Sequence, residues 1–101
     1  MTLAELLEKL DAFSVREQME FEAEERGMRS EAGAIEADLR ALARAATPAL
    51  LDELERDGSY PEWLLRLSPH VAGDDARGRA CRFAGHRSAS VRFRAQDILK
   101  P

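Results

Sequence analysis

Apolar residues recur along this chain at intervals of three and four, the spacing that places side chains on one face of an α-helix. Nowhere do they alternate with polar residues as a half-buried strand requires. The pattern predicts an all-α fold of about seven short helices. Leu3, Leu6, Leu7 and Leu10 share one face of a first helix that Thr2 is placed to cap and that runs to about Ala12. Ser14 is the next capping residue. From it a second helix reaches about Arg26, with Val15, Met19 and Ala23 on the apolar side, Glu17, Glu20 and Glu24 opposite, and Gly27 as the stop. Ser30 opens the longest helix, to about Ala46, whose buried stripe is Ile35, Leu39, Leu42, Ala43 and Ala46. A second stripe, Ala34, Ala37, Ala41 and Ala45, lies about 100° round the helix, where small residues let a neighbour approach closely and make this helix central.

Thr47-Pro48 is a strong helix start, because threonine caps and proline at the first helical position loses only an N–H that would have no partner. Leu50, Leu51 and Leu54 follow on the inner face, and Gly58 ends the helix. Ser59-Tyr60-Pro61-Glu62 opens a short helix burying Trp63, Leu64 and Leu67, which Ser68-Pro69 stops or kinks. Val71 to Asp75 reads as a loop whose aspartates cap a helix to about His86, with Ala76, Ala80, Phe83 and Ala84 inward. Ser88 caps the last helix, whose buried face is Val91, Ala95, Ile98 and Leu99. Tight turns join these helices, without an obvious linker or low-complexity tract, so residues 1–101 are expected to form one domain.

A chain of 101 residues, 45% hydrophobic and 34% charged, can bury a core without disulfides or a structural metal. The lone Cys81 has no intrachain partner, and the N-terminus lacks the basic start and apolar run of a secretory signal, so a cytoplasmic setting is expected. No run approaches the roughly 20 apolar residues of a membrane-spanning helix. Arg outnumbers Lys thirteen to two, which fits a GC-rich bacterial genome. The net charge of −4 is unevenly spread: residues 1–60 hold seven basic and fifteen acidic residues (−8), residues 61–101 eight and four (+4). An acidic front and a basic back are the result.

The segment from Gly78 to Leu99 resembles a HEAT-like, armadillo-type helical repeat. Val91-Arg92 stands where that family opens its second helix, Ala95 follows one turn on, and Ile98-Leu99 is the closing aliphatic pair; the Asp or Pro usual in the turn is missing. Ser14-Val15-Arg16 and Leu39-Arg40 with Ala43 are fainter echoes, off any constant period. The resemblance implies stacked helical hairpins, the alternative being an irregular helical bundle. It also implies long exposed surfaces that hold proteins and occasionally nucleic acids, with catalysis unusual. In such proteins an arginine in the position of Arg92 commonly reaches an acid in an adjacent turn.

Candidate chemistry is sparse. Cys81 and His86 stand five apart, where ligands on one helix need three or four, and with His70, Asp74 and Asp75 they lack the paired motifs of zinc sites. Cys81 with either histidine makes a weak nucleophile and base, since no Asn or Asp is placed to orient the imidazole. No catalytic centre, metal or cofactor is therefore expected. Two surfaces remain as candidates. Glu17, Glu20 and Glu24 with Phe21 form an acidic one; Arg79, Arg82 and His86, with Phe93 and Arg94 of the last helix, form a basic one.

These features point to a non-enzymatic protein-binding module, an adaptor or an inhibitor such as a toxin-neutralising immunity protein, with a basic partner favoured by the overall acidity. Opposite charges at the two ends also allow head-to-tail self-association. The alternative is a nucleic-acid-binding domain using the basic C-terminal hairpin, against which the acidic front counts.

Overall fold

The computed structural model of the chain describes residues 1–27, 32–71 and 73–101, without the side chains of Ala32 and Asp74. It is all-helical over these residues. Six helices follow one another: α1 (Leu3–Glu25), α2 (Ala32–Ala45), α3 (Pro48–Asp57), α4 (Pro61–Val71), α5 (Gly73–Phe83) and α6 (Ala89–Leu99).

Six rather than seven helices form because the first two expected are one. α1 runs unbroken through Ser14, where neither glycine nor proline interrupts it, and an exposed serine within a helix costs only a few tenths of a kcal/mol. Thr2 caps its start by accepting the Glu5 amide, and Gly27, at φ 73°, takes the left-handed conformation that ends the chain's helical run. The continuity resets the faces of α1. Its buried stripe is Leu6, Leu10 and Phe13, and one turn further on the same stripe reaches Glu17 and Glu20, which are half-buried. Val15 and Met19, expected inside, are 60% and 63% exposed.

At α3 the caps act as the sequence indicates. Thr47 accepts the Leu50 amide, Pro48 begins α3, and Gly58 at φ 77° ends it. Ser88 occupies the cap position of α6, but its hydroxyl lies 3.3 Å from that of Ser90 and makes no cap bond. The Ser30 cap and any cap from Asp74 lie outside the described residues. Pro69 does not stop α4. It stands in the final turn, where the missing N–H costs one bond, and the Ser68 hydroxyl donates to the Leu64 carbonyl at 2.6 Å. The expected loop from Val71 to Asp75 is accordingly helical at Val71 and from Gly73 onward.

Consecutive helices pack as three hairpins, α1 on α2, α3 on α4 and α5 on α6. α4 is the hub: it packs on α2, α3, α5 and α6, whereas the backbones of α2 and α6 do not approach each other. Its leucines explain the position, since Leu64, Leu65 and Leu67 are all at most 1% exposed and point to different neighbours. The small-residue argument for a central Ser30–Ala46 helix fails: Ala34, Ala37, Ala41 and Ala45 are exposed. The larger core joins Leu6, Leu10 and Phe13 to Leu39, Ala43, Leu50, Leu51, Leu54, Leu64 and Leu67, and each buried leucine stabilises the fold by about 1.5–3 kcal/mol. Phe13 meets Trp63 edge to face, ring centres 6.0 Å apart. A smaller core of Leu65, Ala80, Val91 and Ala95 holds α5 and α6 on α4, and Phe83 packs against both.

Candidate binding groove

Because α2 and α6 flank α4 without meeting, one strip of α4 is left between them. Glu62, Leu65, Arg66, Pro69 and His70 lie along that strip, spaced by three and four as one helical face requires. Facing it from α6 are Ala89, Ser90, Phe93, Arg94, Asp97 and Ile98, and from α2 Leu39. The hollow they enclose has a volume of about 870 Å³. A second hollow of about 300 Å³ adjoins it and shares Leu39 and Arg66 in its lining; α1 supplies Phe13, Glu17, Glu20, Phe21 and Glu24, and α2 Ile35 and Glu36. Together they make one groove with an apolar floor and a carboxylate-rich wall.

Arg66 stands where the hollows join. Its guanidinium donates twice to Glu17, at 3.1 and 2.7 Å, and lies over the rings of Trp63 at 4.8 Å and Phe13 at 5.6 Å. Arginine suits the place because its flat cation pairs with a carboxylate and stacks on aromatic faces at once. Glu62, one turn earlier, accepts a hydrogen bond from the Ser90 hydroxyl and so links α4 to α6. On the outer walls Glu36 pairs with Arg40, and Asp97 with Lys100.

The acidic surface expected on α1 is present, but not on the side expected. Glu17, Glu20 and Glu24 face the groove, since they continue the stripe of Phe13 and are not opposite to it. Phe21 is 57% exposed at the groove's edge and Phe93 70% exposed on the facing helix. Two aromatics assigned to opposite ends of the molecule thus border hollows that share Leu39 and Arg66.

The basic surface is not assembled as expected. Arg79 is 4% exposed, its guanidinium within 2.7 Å of Asp52, 3.2 Å of Glu55 and 3.5 Å of Asp75, with a further bond to the Pro48 carbonyl. Arg82 clasps Glu55 through two contacts of 2.7 Å. Both arginines therefore serve the joint between α5 and α3, and the Arg82 hydrogen bond holds the Glu55 carboxyl below the usual carboxylate range against a smaller opposing effect of burial. His86 does not share their helical face, because α5 ends at Phe83; its Nδ1 accepts the Ser88 amide in the turn. Arg92 donates to the carbonyls of His86 and Arg87, where an acid was expected. Of the basic set, Phe93 and Arg94 remain, and they line the groove. Cys81 is exposed on α5.

Leu39, Glu62, Arg66, Pro69 and His70 were not assigned to a binding surface from the sequence. A signal existed: Glu62, Arg66 and His70 are a polar line at intervals of four in a leucine-rich helix. No protein-family model, curated protein or solved structure matches the chain.

Proposed function

We propose that this chain is a non-enzymatic protein-binding module, an adaptor or inhibitor that holds a partner in the groove over α4. One observation carries the reading: Phe21 and Phe93, large aromatics 57% and 70% exposed, border adjoining hollows that share Leu39 and Arg66. Exposed aromatics beside an apolar floor, inside a charged rim, are the make-up of an interaction hot spot. The overall acidity of the chain favours a basic partner, and a toxin-neutralising immunity protein is one form such a module takes.

Three consecutive hairpins, with α2, α4 and α6 side by side, support a HEAT-like reading in which the groove is the inner face of a short helical stack. Nucleic-acid binding and head-to-tail pairing both drew on Arg79 and Arg82, which Asp52 and Glu55 now occupy, so neither reading is favoured.

The test is photocrosslinking in cells, with a benzophenone amino acid at position 21 or 93. Both positions should capture the same protein, and position 53 on α3 should not. Capture that is equal from all three positions, or that survives Glu24→Lys combined with Phe93→Ser, rejects the groove as the binding site.

A further inference from the structure

We infer that the chain pairs with a second copy of itself through the outer face of the α1–α2 hairpin, α1 of each copy lying on α2 of the other. That face shares no residue with the lining of the groove, so the inference stands apart from the protein-binding reading.

The ion pair of Arg16 with Asp38, at 2.6 Å, marks where the two helices run side by side. Steps of three and four residues keep to one side of a helix, and from that pair they lead to Ala12 and Met19 on α1 and to Ala34 and Ala41 on α2. Val15 stands between Ala12 and Met19 by the same steps, and Ala37 between Ala34 and Ala41. All six are exposed, and the two large ones, Val15 and Met19, belong to neither core. Bulk on one helix thus lies beside a shelf of alanines on the other, over a face that the described residues leave open.

Charge extends the pattern. The hairpin is antiparallel, so the stretch of α1 before Arg16 runs beside the stretch of α2 after Asp38. Glu8 comes four residues before Ala12, Asp11 four before Val15, and Arg44 three after Ala41. Two carboxylates on α1 and one cation on α2 therefore stand at the same end of the face. All three are exposed, and none has an ion-pair or hydrogen-bond partner for its side chain among the described residues.

A face that carries both halves of its own complement selects a second copy. A twofold axis along the hairpin, over the seam between the helices, turns α1 of one copy onto α2 of the other and keeps every residue at its level. Val15 and Met19 then rest on the alanine shelf of the other copy, where small side chains allow close approach, and Glu8 and Asp11 reach its Arg44. Each contact is made twice. A twofold axis across the hairpin would instead stack α1 on α1 and α2 on α2; the bulky pair would meet itself, hold the alanine faces apart and leave Arg44 away from both carboxylates.

Sedimentation equilibrium of the full chain reads the pairing and should show a reversible dimer. Met19→Glu, which drives a charge onto the alanine shelf, and Arg44→Glu should each weaken it at least about tenfold. Glu8→Arg with Asp11→Arg, added to Arg44→Glu, should restore it, and Phe93→Ser should leave it unchanged. Far-UV circular dichroism checks that each variant stays helical. The arrangement is read by oxidising an equal mixture of two single-cysteine chains, Val15→Cys and Ala37→Cys, both carrying Cys81→Ser: the mixed disulfide should form, and neither chain alone should link to itself. A monomer at every concentration overturns the inference, as does a dimer that Met19→Glu leaves intact or that Phe93→Ser dissolves. Self-linking of the Val15→Cys chain would put α1 on α1 and overturn it too.

Discussion

Glu17 of α1 and Arg66 of α4, 49 residues apart, meet in a two-pronged ion pair, Nη1 to Oε1 at 3.1 Å and Nη2 to Oε2 at 2.7 Å. The backbones of α1 and α4 do not approach each other, so the two helices are tied through long side chains, this pair and the Phe13–Trp63 contact. Glu17 keeps 42% of its side chain in water, and pairs of that exposure contribute about 0–1 kcal/mol; Glu17→Gln should therefore cost about 1 kcal/mol or less. Arg66→Ala should cost about 2 kcal/mol, since it also strips the cation from two aromatic faces and the stem from the core's edge. Urea unfolding followed by Trp63 fluorescence measures both. Equal losses would mean that the stacking contributes nothing.

Arg79 makes the second long tie, from α5 to α3, under different terms. It is 4% exposed, and its Nε, buried, has no hydrogen-bond partner among the described residues, so part of its desolvation is not compensated. Its carboxylate partners fare better without it: Asp52 and Asp75 are more than half exposed, and Glu55 retains Arg82. Arg79→Ala should cost about 2–3 kcal/mol, largely through lost packing. Arg79→Met, which fills the space without burying a charge, should cost about 1 kcal/mol. Comparing the two urea midpoints checks this, and equal losses would assign the joint to its ion pairs.

Acid should loosen the same joint. The folded-state pKa of Glu55 lies below its ordinary 4.5, chiefly because Arg82 donates to the carboxylate. A carboxyl lowered on folding contributes stability that is fully present above the unfolded value and lost as pH falls through the folded one. Unfolding free energy should thus decline below pH 4.5, and Glu55→Gln should flatten that decline while lowering stability at neutral pH. Thermal melts across an acid series of both proteins measure it; parallel curves would show that other carboxylates carry the acid response.

Much of this fold was legible from spacing. The stripes of α2, α3 and α6 were readable from their apolar period, and at α3 that period is joined to the Thr47-Pro48 start and the Gly58 stop. Ser14 misled because capping residues are also tolerated inside helices, and α1 continues through it. That single misjudged boundary turned α1 the wrong way, placing Val15 and Met19 inside and the glutamates outside. The groove was less legible for a different reason. Phe21, Leu39, Arg66 and Phe93 were visible as residues, but their meeting depends on α2 and α6 both choosing α4, which no local pattern encodes. Arg79 and Arg82 looked like surface charge because their acids, Asp52 and Glu55, lie more than twenty residues earlier.

Phe13, Phe21 and Phe93 separate structure from recognition. Phe13 is wholly buried and packs edge-on to Trp63, so Phe13→Ala should open a cavity, cost about 3–5 kcal/mol and shift Trp63 emission to the red as water enters. Phe93 is 70% exposed and Phe21 57%. Truncating either to alanine should change unfolding free energy by no more than about 0.5 kcal/mol, the range of surface substitutions, and leave Trp63 emission where it was. Urea titrations of the three variants, read by the same tryptophan, give the comparison directly. A loss above about 1 kcal/mol for Phe93→Ala would mean that the ring packs within the chain in solution, and would withdraw it from the binding face. A negligible loss, joined to weaker capture of the groove's partner by the same variant, would place its contribution in the complex and not in the fold.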